Sequence, residues 1–462
     1  MTNRQAASVE DAFERALGSI LARVSVFKGR IAVAYSGGLD SAVLLHLAQR
    51  YTAALGLELF AFHVHHGLSP NADSWLAHCE AQCAATGIRF DAQRVVLQAA
   101  QRDGIEQAAR AGRYAALGEL CRRYDAALLL TAHHQDDQAE TVLLQLLRGA
   151  GLPGLSGMAV VGEAHALLGA PLPVLARPLL EVWRAELEVF ASRHGIRYVE
   201  DESNDDVRYA RNALRHKVMP VLEAGFPGYQ ERVARTARHA QSAQQLLDEI
   251  AALDWQTCGT DDRIDMRRFQ TLSEARQDNL LRHWFTLHRM RMPSTAWLAE
   301  MRAQLLNARE DAQVCVIHPD CEVHRHRGQA FLVPRMPATD SHDAGQSFRW
   351  QGEPHIAFAE LGGTLHFDPA QEGIAAAWLV QQRLEIRRRQ GGEKLKLAPG
   401  RPTRSLKQHY QSLDIPAWER PHLPVVFAGG RLIYAAGIGI NRGGLPEQQG
   451  EQVRLRWERD NI

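Results

Sequence analysis

Six consecutive residues, Ser36-Gly37-Gly38-Leu39-Asp40-Ser41, lie between a short apolar run and a longer apolar stretch with helical spacing. Adjacent glycines let the backbone turn sharply and present successive N–H groups, and a helix opening near Ser41 adds the positive end of its dipole. Ser36 and Ser41 contribute hydroxyls without bulk. The assembly is a cradle for an anion of pyrophosphate size. A carboxylate inside such a cradle makes sense when it handles a cation, so Asp40 is assigned to Mg2+. The plainer alternative is a strand-to-helix turn with a capping Asp. No Lys precedes Ser41 and the glycines are adjacent, so the loop is neither a Walker A sequence nor GxGxxG.

A second concentration of polar chemistry is His133-His134, followed by Asp136, Asp137, Glu140 and Thr141 at the start of a helical stretch. Asp137 faces Glu140 and Thr141 one turn on. Carboxylates there suit Mg2+ or a substrate ammonium. One of them could also take the proton that an amine of pKa about 10.4 must lose before it attacks. Capping by acidic residues in a first helical turn is the competing reading. Arg208, Arg211 and Arg215 fall at i, i+3 and i+7, hence on one helix face. Such a stripe suits phosphate or an RNA backbone, or else a solvated face paired with Asp205 and Asp206. His63, His65 and His66 have no Cys or carboxylate at ligand spacing nearby, which argues against zinc.

These residues need a scaffold that brings loop ends together. β-rich runs are expected at 31–35, 59–64, 90–97 and 126–132, and helices at 41–51, 73–86, 105–124, 136–147, 179–194 and 204–222. Buried strands alternating with helices predict an α/β fold, a doubly wound, mostly parallel sheet that binds ligands beyond the carboxyl ends of its strands. Each polar cluster above follows a strand. The stretches 226–255 and 272–307 read as a small helical middle domain, 336–351 as a linker, and the tail as a small α+β domain. The expected organisation is 1–222 catalytic, 223–335 helical and substrate-binding, 336–351 linker, and 352–462 basic α+β.

The hexapeptide matches the PP-loop signature SGGxDS, whose members cleave ATP between the α and β phosphates and transfer AMP. Two further stretches narrow the resemblance: His65-His66-Gly67-Leu68-Ser69-Pro70, and Thr131-Ala132-His133-His134-Gln135-Asp136-Asp137 with Leu147-Arg148-Gly149 beyond it. Asp201-Glu202-Ser203-Asn204, Arg208 and Arg211-Asn212 extend it. With these the chain resembles the bacterial tRNA(Ile)-lysidine synthetases, strongly over 29–222, weakly in the middle, and moderately around 384–441. The resemblance implies that ATP, with Mg2+, adenylates the C2 oxygen of the wobble cytidine in a CAU-anticodon isoleucine tRNA. Free L-lysine then displaces AMP to form lysidine. It also implies an ATP loop of Ser36 to Ser41, and a catalytic and lysine-binding set of Arg113, His133, Asp136, Asp137 and Glu140. Arg113 would meet the lysine carboxylate or a phosphate, and a solvated Arg is the alternative.

Lys plus Arg and Asp plus Glu stand at 53 each over 462 residues, so net charge announces no nucleic acid and any basic surface must be local. One such surface lies in the tail. Between Gln381 and Arg420 ten Lys/Arg, among them Arg387, Arg388, Lys394 and Lys396, face four acids, which points to phosphate contacts with tRNA. The N-terminal residues lack a secretory core, and no apolar run reaches the length of a membrane helix, so a cytoplasmic protein with no membrane partner is expected. Monomer and homodimer both stay open. Six scattered cysteines form no CxxC pair and suit neither a disulfide framework nor a zinc knuckle. The rival within the class is a PP-loop tRNA 2-thiolase, which needs persulfide or iron–sulfur chemistry. No cysteine in the PP-loop part follows a strand end, which disfavours it.

Overall fold

The computed structural model describes residues 8–24, 27–65, 67, 69–95, 105–162, 168, 173–200, 207–208, 210–309, 314–335, 345–443, 445 and 450–460, with the backbone alone at 105–108. The Asp201-Glu202-Ser203-Asn204 motif, Asp205, Asp206, His66 and 336–344 of the expected linker lie outside the described residues. The chain divides into two compact units, Met1–Ala251 and Ala252–Ile462.

In the first unit the order is α1 (Val9–Leu21), β1 (Arg30–Ala34), α2 (Leu39–Leu55), β2 (Glu58–His65), α3 (Ala72–Thr86), β3 (Arg89–Arg94), α4 (Ile105–Arg123), β4 (Leu128–Leu130) and α5 (Gln135–Leu147). Then come β5 (Val161–Gly162), β6 (Val174–Ala176) and α6 (Arg184–His194). The sheet order is β3-β2-β1-β4-β6-β5, parallel except at the β5 edge. The central strands β1, β4 and β6 read as apolar runs because both faces are covered. Ile31 and Val33 pack with Leu17, Val43 and Leu187 on one face, while Ala32 packs with Tyr114, Leu117 and Leu120 of α4 on the other. The chain moves outward from β1 to β2 and β3, then returns to place β4 on the opposite side of β1. That reversal opens a crevice between the carboxyl ends of β1 and β4, where both polar clusters lie.

Past α6 the helical stretch expected at 204–222 is seen over Ala210–Ala213, a π-helical turn at Leu214–Val218, and Met219–Gly225. α7 (Tyr229–Cys258) follows and runs across the division between the units.

The second unit holds the helices expected within 272–307, Glu274–Leu287 and Thr295–Asn307. It also holds a five-stranded antiparallel sheet that the sequence reading did not anticipate. The strands are β7 (Gly259–Thr260), β8 (Arg263–Asp265), β9 (Val314–Ile317), β10 (Cys321–His326) and β11 (Gln329–Pro334), ordered β7-β8-β11-β10-β9. Val323, Ala330 and Leu332 give it one apolar face, which packs on Leu281, Trp284 and Met301 of the helices. The tail is α+β as expected, with a five-stranded and a four-stranded antiparallel sheet sharing a core of Leu384, Ile386, Val426, Leu365 and Leu455. The expected linker is shorter than 336–351. Gln346–Phe348 is a strand paired with Leu384–Arg388, and Trp350 is buried against Phe367. Phe348 and Trp350 have apolar surface to bury, which overrides the turn-rich composition before them.

Candidate active site

The loop after β1 has the geometry its glycines suggested. Gly37 takes φ +87°, a left-handed conformation, and a Cβ there would stand 2.8 Å from the Cys79 sulfur. Both facts demand glycine. Gly38 caps α2 without a side chain, and the Ser41 hydroxyl donates to the Gly38 carbonyl at 2.9 Å while lying 3.0 Å from the Ser36 hydroxyl. Leu39 turns its side chain into the sheet core, so only its backbone faces the loop. The Gly37→Ala variant should lose about 1–3 kcal/mol of stability to backbone strain and crowding. Chemical denaturation checks this, and an unchanged midpoint would contradict it.

Asp40 sits in the first turn of α2. Its Oδ1 is buried with no hydrogen-bond partner among the described residues, and its Oδ2 lies 3.7 Å from His134 Nε2. A buried carboxylate oxygen left without a partner is costly unless something positive meets it. The residue therefore fits the Mg2+ assignment.

Across the crevice, His134 is the N-cap of α5. Its Nδ1 accepts from the Asp137 N–H at 3.4 Å while Asp137 Oδ2 accepts from the His134 N–H at 3.1 Å, a reciprocal capping box. His134 Nε2 also stands 3.4 Å from Asp137 Oδ2, and Nδ1 stands 3.6 Å from Asp136. Burial opposes charge on this ring, but the hydrogen bond to Asp40 and the charges of Asp137, Asp40 and Asp136 win and raise its pKa above the usual histidine value. Burial acts on Asp137 in the opposite sense to its neighbours: His134, Arg211 and His133 overcome it and hold the carboxyl below the usual range. His133 accepts or donates at Thr131 Oγ1, 3.0 Å away, and burial together with Arg177, Arg211 and Arg110 pushes it down to about 3 against the pull of Asp137. Cap and polar cluster coincide here, because His134 and Asp137 belong to both.

Glu140 is buried one turn along α5. Arg211 Nε donates to it at 2.7 Å, Arg215 Nε at 2.6 Å and Arg215 Nη2 at 3.1 Å. Arg211 also reaches Asp137 Oδ1 at 3.2 Å. The Arg stripe was read as facing phosphate or solvent. Two of its members turn instead onto the acidic end of α5, because a carboxylate with 1% of its side chain exposed needs compensating charge. The π-helical turn that carries Arg215 adds a residue to the local repeat and rotates it towards Glu140. Arg208 is exposed.

His134, Asp136, Glu140, Arg184, Arg215, His216, Met219, Pro220, Glu223, Tyr229 and Gln230 line a cleft of about 420 Å³. Asp136 is fixed there by the Arg184 N–H, which it accepts at 3.0 Å. Arg113 is exposed on α4 and does not line this cleft. Arg110, three residues earlier on α4, acts electrostatically on His133. Sequence reasoning missed Arg110 and Arg177, the latter 8% exposed just past β6 with its Nη1 donating to the Ala159 carbonyl at 2.8 Å. The signal for Arg177 was its place directly after a buried strand. It also missed Tyr229 and Gln230, which close the cleft from α7 and carry no local motif.

In the tail, Arg387 lies over the Phe427 ring at 4.4 Å and near Glu385 and Glu393, while Lys394 is exposed and Arg388 and Lys396 are half-buried.

Comparisons with known proteins agree along the chain. Residues 9–222 match the PP-loop domain, 264–331 the TilS substrate binding domain, and 384–457 the TilS substrate C-terminal domain. The chain is 44% identical over 433 residues to the tRNA(Ile)-lysidine synthase of Ralstonia nicotianae, covering 92% of each chain. It is 41% identical over 465 residues to that of Burkholderia mallei, covering 94% of each. Among solved structures it aligns with the U34-tRNA thiolase NcsA from Methanococcus maripaludis at TM-score 0.40 and 17% identity, over 50% of this chain and 77% of that one, a likeness too loose to argue from. A family domain matched at both ends, with relatives alike over nine-tenths of their length, leaves one assignment: the chain belongs to the tRNA(Ile)-lysidine synthase family.

Proposed function

We propose that this chain joins L-lysine to C2 of the wobble cytidine in CAU-anticodon tRNA(Ile), using ATP and releasing AMP and pyrophosphate. The observation that carries the reading is Asp40, with one oxygen buried and unpartnered, standing across the β1–β4 crevice from His134, Asp136 and Asp137. The loop from Ser36 to Ser41 receives the pyrophosphate portion of ATP through backbone N–H groups and the α2 N-terminus. Asp40 is the residue that would hold Mg2+, which when bound neutralises phosphate charge. The C2 oxygen of cytidine attacks the α phosphate, the bond to the β phosphate breaks, and pyrophosphate leaves.

In the second step the lysine ε-amine attacks C2 and AMP departs. Asp136 faces the cleft and, among the described residues, accepts one backbone N–H on Oδ2, so it is the carboxylate best placed to receive the ammonium and its proton. Glu140 is occupied by two guanidiniums and acts as a positioning residue for Arg211 and Arg215. Asp137 shares that duty and caps α5. Arg110 and Arg177, which help keep the His133 ring uncharged, form a cationic wall suited to a carboxylate or phosphate.

Sulfur transfer is disfavoured by the thiols themselves. Cys79, Cys83 and Cys121 are buried in the first unit, and burial pushes them up to about 12, 11 and 12, far from the low-pKa, accessible state that persulfide chemistry needs. No helix among the described residues is long and apolar enough to cross a membrane, in keeping with a cytoplasmic tRNA enzyme.

The test is incorporation of radiolabelled lysine into a tRNA(Ile) transcript bearing CAU. Label should enter that transcript and be absent from one with U at the wobble position; no incorporation with either would overturn the reading. The basic tail adds a separate expectation. Arg388→Ala and Lys394→Ala should each weaken tRNA binding and reduce its salt slope by about one unit. Affinity measured across a salt series checks this, and unchanged slopes would reduce the tail's charges to a solvated surface.

A further inference from the structure

In the second unit β9 pairs antiparallel with β10, and Cys315 lies directly opposite His324. Alternation along β10 puts Glu322 on the same face as His324, while Val323 between them is buried in the core. Their donor atoms converge. Cys315 Sγ is 3.9 Å from Glu322 Oε2, and that oxygen is 3.1 Å from His324 Nε2. One donor atom from each residue lies within 4.8 Å of the other two.

Thiolate, imidazole and carboxylate together make a zinc set. Zinc bonds of about 2.3 Å to sulfur and about 2.0–2.1 Å to nitrogen or oxygen, at tetrahedral angles, place ligand atoms about 3.3–3.6 Å apart. The separations seen need only small side-chain adjustments to reach that.

His324 is also held as a ligand would be. Its ring stacks on the Trp418 indole with centroids 4.2 Å apart and planes 14° apart, and it hydrogen-bonds the backbone of Val314. With the ring plane held by this stack and Nε2 turned to the Glu322 carboxylate, the orientation is that of a supported metal-binding histidine.

We propose that Cys315, Glu322 and His324 form a binding site for a zinc-class divalent ion, with a fourth position open to water beside the exposed Cys315. Binding forms a metal–sulfur bond and releases the thiol proton to solvent. The ion would stiffen one seam within the second unit. Trp418 stacks on His324, and Asp414 on the same segment meets His326 at 3.4 Å and Arg327 at 2.5 Å.

The experiment uses untagged full-length protein, stripped by a chelator and titrated with Zn2+ and separately with Co2+. One equivalent of Zn2+ should bind. Co2+ should give a thiolate-to-cobalt charge-transfer band in the near ultraviolet, bleached when Zn2+ displaces it. Cys315→Ser, an exposed and nearly isosteric change, should abolish the band and weaken Zn2+ binding at least tenfold. Glu322→Gln should weaken binding but keep the band, and Asp40→Ala should change neither, which separates this site from the nucleotide loop. Cobalt binding without a sulfur band, or Zn2+ affinity unchanged in Cys315→Ser, would overturn the proposal. So would a proton on His324 doing the cation's work alone, seen as no bound equivalent in the wild-type chain.

Discussion

Asp40→Ala should lower the rate of tRNA-dependent pyrophosphate release by about a thousandfold while leaving tRNA affinity within a few-fold. Losing the group that manages phosphate charge removes several kcal/mol of transition-state stabilisation, and each 1.36 kcal/mol is a factor of ten in rate. The side chain is well placed for an effect confined to chemistry. It lies in the first turn of α2, its Oδ1 has no hydrogen-bond partner among the described residues, and its Oδ2 lies 3.7 Å from His134 Nε2. Folding should therefore change little, and removing an unpartnered buried oxygen is close to neutral by itself. Rapid-quench measurement of pyrophosphate checks the rate, and filter binding checks the tRNA. Wild-type rates in this variant would remove Asp40 from the site.

Glu140→Ala should behave in the opposite way, with the largest stability loss of any single substitution at the site. Two guanidiniums converge on this buried carboxylate through three hydrogen bonds of 2.6 to 3.1 Å. Breaking a buried ion pair from one side leaves uncompensated charge and costs about 3–5 kcal/mol. Here the lower end applies, because Arg211 and Arg215 keep 29% and 26% of their side chains exposed and can turn to water. Activity should fall as well, since Arg215 lines the cleft. The double variant Glu140→Ala/Arg211→Ala should be less destabilised than the sum of its parts, which marks coupling rather than general damage. Denaturant unfolding of the three variants supplies the numbers. A loss under 1 kcal/mol for Glu140→Ala would show that the pair is solvated and carries no positioning role.

The contrast between these residues also marks what local sequence can reveal. The loop from Ser36 to Ser41 was legible because glycine conformation and the opening of a helix both act within one hexapeptide. The first-turn acids of α5 were legible for the same reason, although whether they cap or bind was undecided, and His134 and Asp137 turn out to cap while facing Asp40. Arg211 and Arg215 were legible as a stripe on one face. Their partner was not, for Glu140 lies 71 and 75 residues earlier in the chain and only the fold brings it near. Asp205 and Asp206, the nearer candidates in sequence, lie outside the described residues.

Arg110, held over the Tyr114 ring on α4, acts on His133 although no motif in the sequence marks it. In the second unit the sheet β7-β8-β11-β10-β9 escaped notice because its strands are short and one face is polar. The run Cys321-Glu322-Val323-His324-Arg325-His326 alternates as a strand should, but its apolar positions are too few to stand out. The helices around it carry the stronger periodic signal and dominated the reading.

The most direct test of the account is to omit lysine. With ATP, Mg2+ and CAU-bearing tRNA(Ile) alone, the chain should release one equivalent of pyrophosphate per active site in a burst and leave the tRNA carrying AMP. Adding lysine should then discharge AMP and form lysidine without further ATP. A burst that needs lysine, or pyrophosphate release that proceeds equally without tRNA, would contradict adenylation of the tRNA as the first step.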